Sequence, residues 1–330
     1  MKKKILFVFN TKASFILQDL EILKEAYDVE EGFVGSYVDA FVLASPMTLA
    51  KFDIVYFWFA SLNFVPIFFV SKLLNKKIFV VAGGFDVANI PEFNYGAGTE
   101  DPLRLFLRRA MFHGAHHVTN VSSSNENDLM KTVPNLKSPH TIINFGFKDP
   151  QSQIVPLIQR PKKIITIGAI NKITYERKGM RFFAELSRLM PEWDFVAVGK
   201  WDKEYRIKLE EVGGKNLHFT GFLSDEAFSE EVQNSRFYLQ LSHHEAFGLS
   251  VVDAGLRGVY PIVFDKFSLP ELVIEIGSIT KFKDLEAVKT EILRVDAVSY
   301  EPTFVKKKFL QRFSWERKKK SLLDVVAKYS

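Results

Sequence analysis

The residues best suited to chemistry lie together in Leu241-Ser242-His243-His244-Glu245-Ala246-Phe247-Gly248-Leu249-Ser250-Val251-Val252-Asp253. A strand is expected to end at Ser242, a short acidic loop to follow, and a helix to begin near Phe247. The first turn of a helix has free N–H groups and suits an anion such as phosphate. Gly248 lets that anion approach the backbone closely. Asp253 follows one to two turns on, roughly 8–9 Å along the axis at about 1.5 Å per residue. That is the reach from a pyrophosphate to its ribose, so Asp253 is a candidate for the ribose hydroxyls and Glu245 for a group beyond the phosphate. The same pattern also fits a helix whose acidic start offsets its own dipole. His243 and His244 precede the loop and are candidates for a hydrogen bond to sugar or phosphate.

Other chemistries are poorly supplied. There is no cysteine, which removes Cys-ligated zinc, iron–sulfur clusters and thiol nucleophiles. No Gly-x-Gly-x-x-Gly opens a helix after a strand, and there is no Walker loop, no Asp-x-Asp and no Gly-x-Ser-x-Gly elbow. His113, His116 and His117 have spacings that suit a metal on a helix, but Gly114 is expected to break that helix. His116 and His117 then point to opposite faces of a strand. No metal site is expected.

The elements that must position these residues alternate strand and helix almost throughout. In the first half strands are expected at 3–9, 28–34, 53–59, 78–82, 117–122 and 140–145. Helices are expected near 15–27, 64–75, 102–112 and 124–132. The second half repeats the plan: strand 163–168, helix 178–190, strand 194–199, helix 203–212, strand 217–221, helix 225–234, strand 236–242, helix 248–257 and strand 260–264. Residues 180, 183, 186 and 189/190 form one apolar helical face. Such alternation implies parallel sheets covered by helices on both faces. The α/β reading is two Rossmann-like doubly wound domains facing each other, 1–150 and 151–305, joined by a Pro-rich linker at 148–161, with a basic helix at 306–330. Ligands in such sheets bind at the carboxyl ends of the strands, so the cleft between the domains is the expected site.

At 330 residues the chain has room for two domains. Its net charge of +5 is concentrated: residues 301–330 hold nine Lys/Arg and three acids, a net +6, leaving 35 cations against 36 acids in the rest. That segment can attract phosphate, anionic lipid or nucleic acid, or form a solvated helix face. Phe is unusually abundant, at 32 residues. The most apolar stretch, 54–70, contains Ser61, Asn63 and Pro66 and reads as a buried strand followed by a helix rather than a span. The start, Met1-Lys2-Lys3-Lys4-Ile5, reads as a first strand rather than a leader.

The Glu245 segment resembles the nucleotide-sugar signature of retaining, family-4 (glycosyl transferases group 1) GT-B glycosyltransferases. That signature is a Glu, seven residues and a second Glu, with Phe-Gly after the first. This chain keeps Glu245 and Phe247-Gly248 and has Asp253 in the second position. The resemblance extends through Tyr260-Pro261-Ile262-Val263 and Phe219-Thr220-Gly221-Phe222, and covers about residues 160–320, more weakly the first half. It implies a GT-B fold with a C-terminal helix crossing back to the first domain, the closing Phe313-Ser314-Trp315-Glu316 included. It implies donor contacts at Asn171, Lys178, Gly199, Phe222, His244, Ala246, Phe247, Gly248, Leu249 and Asp253, with Lys178-Gly179 at a helix start against the donor diphosphate. The family's arginine has no counterpart, because Ala169 stands in its place; Asn171, Lys172 and Arg177 are the nearby substitutes. In Val81-Ala82-Gly83-Gly84-Phe85-Asp86 the family's His-Gly-x-Asp keeps Gly84 and Asp86, while Gly83 replaces the His. Asp86 is thus a candidate for sugar or acceptor, or a simple turn cap. Lys12 and Gly84 are acceptor-side candidates, and Tyr95 a sugar platform.

The resemblance implies a metal-independent glycosyltransferase with Glu245, Asp86 and Lys178 as its catalytic set. Its partners would be a nucleoside-diphosphate-sugar and a glycan or lipid-linked acceptor, with no cofactor and no nucleic acid. A role in polysaccharide or glycolipid synthesis in the cytoplasm is expected, with peripheral contact at the inner face of the membrane through the basic segment. The alternatives are another GT-B enzyme, such as a nucleotide-sugar epimerase, and a catalytically silent sugar-nucleotide-binding protein.

Overall fold

The computed structural model describes residues 2–151 and 153–329. It consists of two compact units, Met1–Gly146 with Trp315–Ser330, and Phe147–Ser314.

The first unit runs β1 (Lys4–Phe9), α1 (Ser14–Ala26), β2 (Asp28–Phe33), α2 (Tyr37–Leu43), α3 (Pro46–Leu49), β3 (Ile54–Trp58), α4 (Val65–Leu73), β4 (Lys77–Ala82), α5 (Pro102–Gly114), β5 (His117–Asn120), α6 (Ser123–Thr132) and β6 (His140–Ile142). All strand pairs are parallel, in the order β2-β1-β3-β4-β5-β6. β3 is buried at every position, as a strand covered on both faces requires. The apolar stretch 54–70 therefore divides as its composition implies, into a central strand and a helix entered through Pro66. No helix among the described residues is long and apolar enough to cross a membrane.

The second unit runs β7 (Lys163–Ile167), α7 (Thr174–Arg177), α8 (Met180–Leu189), β8 (Asp194–Val198), α9 (Lys203–Val212), β9 (Leu217–Gly221), α10 (Asp225–Gln233), β10 (Phe237–Gln240), α11 (Leu249–Gly255), β11 (Tyr260–Phe264), α12 (Leu269–Val273), β12 (Ser278–Thr280), α13 (Leu285–Val298) and α14 (Pro302–Arg312). Its sheet is also parallel, in the order β12-β11-β10-β7-β8-β9. On α8 the buried face carries Met180, Phe183, Ala184, Leu186 and Ser187, the stripe expected from the 3.6 period. The final helix, α15 (Trp315–Ala327), belongs to the first unit and packs on α1.

Three sequence expectations need correction. Residues 148–161 are not a free linker: the second unit begins at Phe147, and Arg160, only 1% exposed, donates to the carbonyls of Val155, Ser235 and Gly258. The basic 306–330 segment is not one helix. α14 stays with the second unit, where Lys306 pairs with Asp149 at 2.8 Å, and only α15 joins the first. Its lysines are not all solvated either. Lys318 is buried and holds Asp19 at 2.6 Å, and Lys319 pairs with Glu25.

Candidate active site

Each sheet has one point where the chain reverses the direction in which it adds strands. In the second unit this lies between β7 and β10, since β7 continues to β8 on one side and β10 to β11 on the other. Loops leaving the carboxyl ends of two such strands diverge and open a crevice. The segment after β7 supplies Lys178, at the end of α7, and the loop after β10 supplies Glu245. Lys178 Nζ lies 3.4 Å from Glu245 Oε1, with both side chains mostly buried.

Backbone contacts lock the two loops together. The His243 N–H donates to the Arg177 carbonyl at 2.8 Å, and Arg177 Nη1 donates to the His244 carbonyl at 3.1 Å. Gly179 takes φ +65, and a Cβ there would lie 1.7 Å from the Leu241 carbonyl oxygen. Glycine is thus required by close approach as well as by conformation. Behind Glu245, Ser242 Oγ and Gln240 Nε2 donate to Oε1 at 3.2 and 3.4 Å, and Tyr238 donates to the Gln240 amide oxygen. Ser268 Oγ donates to the carbonyls of Glu245 and Phe247 at 2.9 and 2.7 Å. Burial pushes the Glu245 carboxyl up, but the charges of Lys178, Arg177 and His244 outweigh it and hold the group below its ordinary value. A carboxylate ionised at neutral pH, beside a lysine, can accept from hydroxyls while the lysine meets an anion.

The neighbouring donor candidates fall in several classes. Gly248 takes φ +106 and caps α11, whose first residue is Leu249; Ala246 and Leu249 are partly exposed. Phe247 instead turns inward, 3% exposed and edge-on to Phe313. His244 is buried against Phe267, and His243 is stacked on Phe182. Gly199, at the end of β8, takes φ +136, and a Cβ there would meet the Gly168 carbonyl oxygen at 2.5 Å. Phe222, beyond β9, is exposed with Lys200 over its ring. Asn171 is engaged locally: its side chain accepts from the N–H groups of Ile173 and Thr174 at the start of α7. One oxygen of Asp253 accepts from Arg257 Nη1 at 2.6 Å, just past the end of α11. Ser268, Gln240 and Ser242 were missed as support for Glu245; Ser268 is 23 residues away and carries no local signal.

The first unit has its reversal between β1 and β3. Here a pocket of about 310 Å³ is lined by Asn10, Phe59, Ser61, Phe85, Asp86 and Arg108. Asp86 lines this pocket but is held inward by its surroundings. It is 1% exposed, and its two oxygens accept from the N–H groups of Ala60, Gly83 and Gly84, each at 3.0 Å. Burial raises its carboxyl, and the Ala60 N–H and the Arg108 charge offset only part of this. It staples the β3 and β4 loops, the turn-cap role the sequence also allowed. Arg108 grips Glu100 with Nε and Nη2 and donates to the Ala60 carbonyl at 2.6 Å. Gly84 takes φ +135. At Gly83 a Cβ would meet the Phe59 ring at 2.1 Å, so that ring fills the place of a side chain there. Tyr95 stands edge-on to Phe85, at 5.4 Å between centroids. Lys12 lies over Phe33 on the surface. His116 Nδ1 accepts from the Ile78 N–H, and the His117 ring bonds Tyr329 and Thr141. Among the described residues no group of three candidate ligands could hold a metal.

Residues 147–295 match the family model described as glycosyl transferases group 1. The second unit is a glycosyl transferases group 1 domain. No curated protein sequence matches the chain. Among solved structures, a sucrose-phosphate synthase from Thermosynechococcus elongatus superposes with a TM-score of 0.76 at 15% identity, covering 99% of both chains. Anabaena HepE in complex with UDP and glucose gives 0.75 at 14% identity, over 99% of this chain and all of that one. A glycosyltransferase from Rickettsia africae gives 0.74 at 15% identity, over 99% and 98%. The chain has the GT-B fold, and by its second-unit domain it is a glycosyltransferase.

Proposed function

We propose that this glycosyltransferase moves a sugar from a nucleoside-diphosphate donor to an acceptor hydroxyl with retention of anomeric configuration and without a metal. The Lys178–Glu245 pair at the β7/β10 reversal carries the reading. Lys178 and the N–H groups at the start of α11 meet the diphosphate and stabilise the charge it gains on departure. Glu245, held ionised, accepts from donor-sugar hydroxyls and fixes the ring. The bond from the anomeric carbon to phosphate oxygen breaks, and the bond to acceptor oxygen forms on the same face. The acceptor proton passes to the departing diphosphate, so no protein nucleophile is needed. Positive charge from Lys178 and a sequence without Asp-x-Asp favour metal-independent transfer. HepE, which shares the fold, holds UDP and glucose, and a nucleotide-sugar donor here is consistent with that. The acceptor, a glycan or lipid-linked sugar, is assigned to the pocket at the β1/β3 reversal.

The test is incubation with radiolabelled UDP-, GDP- and ADP-sugars and a glycan or lipid extract, with and without chelator. Labelled product of retained configuration, insensitive to chelator, is expected. Free or epimerised sugar without acceptor would point to the epimerase reading. Ala169, which leaves Lys178 without the family's arginine, favours the silent reading; donor binding with no turnover across the panel would establish it.

A further inference from the structure

We infer that the pocket at the β1/β3 reversal takes an uncharged sugar ring, and that Phe59 is the residue that selects it. This names the acceptor class of the transfer proposed above, and as a statement about the acceptor it rests on that reading.

Phe59 leaves the end of β3 with φ +76. Bulky residues rarely adopt the left-handed region, and where one does, the surrounding structure must hold it there. Three bonds do so. The Phe59 N–H donates to the Val81 carbonyl at 3.2 Å, the Ala60 N–H donates to Asp86 at 3.0 Å, and Arg108 Nη1 donates to the Ala60 carbonyl at 2.6 Å. Gly83 supplies the space, since a Cβ there would lie 2.1 Å from the ring. Trp58 and Phe15 meet the same ring edge-on, at 5.2 and 6.5 Å between centroids. An unfavourable backbone conformation is thus fixed from several sides, and its outcome is one aromatic ring on the pocket wall.

The rest of the lining fits the same ligand. The two charged lining residues are consumed within the protein, Arg108 by Glu100 and the Ala60 carbonyl, and Asp86 by three N–H groups. What is left for a ligand is Phe59, the exposed Phe85, the Asn10 amide and the Ser61 hydroxyl, the last two 3.4 Å apart. The negative face of an aromatic ring attracts the C–H groups on one side of a pyranose. An amide and a hydroxyl suit its hydroxyls, since each can both donate and accept. A phosphate or carboxylate would give up its water here with no lining cation free to replace it. The volume, about 310 Å³, is at the small end of ligand pockets and suits one ring rather than a chain.

The test is ligand-observed NMR on the full chain without donor. The probes are the methyl glycosides of glucose, galactose, mannose and N-acetylglucosamine, set against glucose 6-phosphate and glucuronic acid. Saturation transfer to at least one neutral glycoside is expected, and to neither charged sugar. Phe59→Leu should weaken that binding about fivefold or more, with an unchanged circular dichroism spectrum, and Phe59→Tyr should keep it within about twofold. Gly83→Ala crowds the ring from behind and should weaken binding as Phe59→Leu does. Failure of every neutral glycoside to bind, tighter binding of a charged sugar, or binding indifferent to both Phe59→Leu and Gly83→Ala overturns the inference. So does binding abolished by Glu245→Ala and spared by Phe59→Leu, which places the sugar in the second unit. Transfer is assayed separately. Transfer to a charged acceptor defeats this inference alone, and glycoside binding through Phe59 without any transfer defeats the earlier reading alone.

Discussion

Both units pair a lysine with a buried or nearly buried carboxylate, and the Lys318–Asp19 and Lys178–Glu245 pairs are built differently. In the first unit Lys318 and Asp19 meet at 2.6 Å, with both side chains 5% exposed or less. Tyr56 and Trp58 donate to the other Asp19 oxygen at 2.8 Å. In the second unit Lys178 and Glu245 are looser, at 3.4 Å, and remain 20% and 12% exposed. A pair closed on itself has no valence left for a ligand and serves to neutralise a charge that the fold has buried. A pair held apart at a crevice keeps one partner for an anion and the other for hydroxyls. Distance and access, not residue type, separate the structural pair from the candidate site pair.

This contrast can be broken in four places. The largest effect is expected for Lys318→Met, which leaves the enclosed Asp19 without its cationic partner. It should cost about 3–5 kcal/mol in urea unfolding and leave donor affinity of the folded protein unchanged. A donor effect of the same size would erase the distinction. Glu245→Ala should do the reverse, lowering turnover about 10²–10³-fold with little change in secondary structure by circular dichroism; unchanged turnover would move the active site elsewhere. Asp86→Ala strands three N–H groups, those of Ala60 and Gly84 buried, and should cost about 3 kcal/mol of stability. Turnover per folded molecule should change only a few-fold, and a collapse in turnover with intact stability would return Asp86 to catalysis. The smallest effect concerns His117. Burial, then the charges of Lys328 and His140, lowers its pKa to about 4 from 6.5. Between those values the unfolded chain binds more protons than the native one, so stability should fall as pH drops from 6.5 towards 4. His117→Asn should flatten that slope in unfolding curves collected across the window.

Much of the site was legible because its parts are local in sequence. Glu245 with Phe247-Gly248, and Lys178-Gly179, are short motifs that carry the family resemblance, and the apolar pattern around them gives the strand, the loop and the helix start. The alternating apolar runs that announced two parallel sheets are local too. What escaped is whatever depends on distant partners. Asp86 looks like any loop aspartate until Ala60, from another strand's loop, is seen to bond it. Nothing near Lys318 announces Asp19, almost the whole chain away. The short helices α2 and α3 and the small strand β12 fell below the length at which periodicity speaks.

The return of α15 to the first unit sets an order of manufacture. The second unit is one uninterrupted run of chain, whereas the first is closed by residues that follow the second unit. A growing chain therefore exposes residues 1–146 before Lys318 exists, with Asp19 lacking its counter-charge and α1 its covering helix. The first unit is completed only after the second has been made in full. A truncation before Trp315 would remove none of the Lys178–Glu245 site, yet it would leave the other unit unfinished.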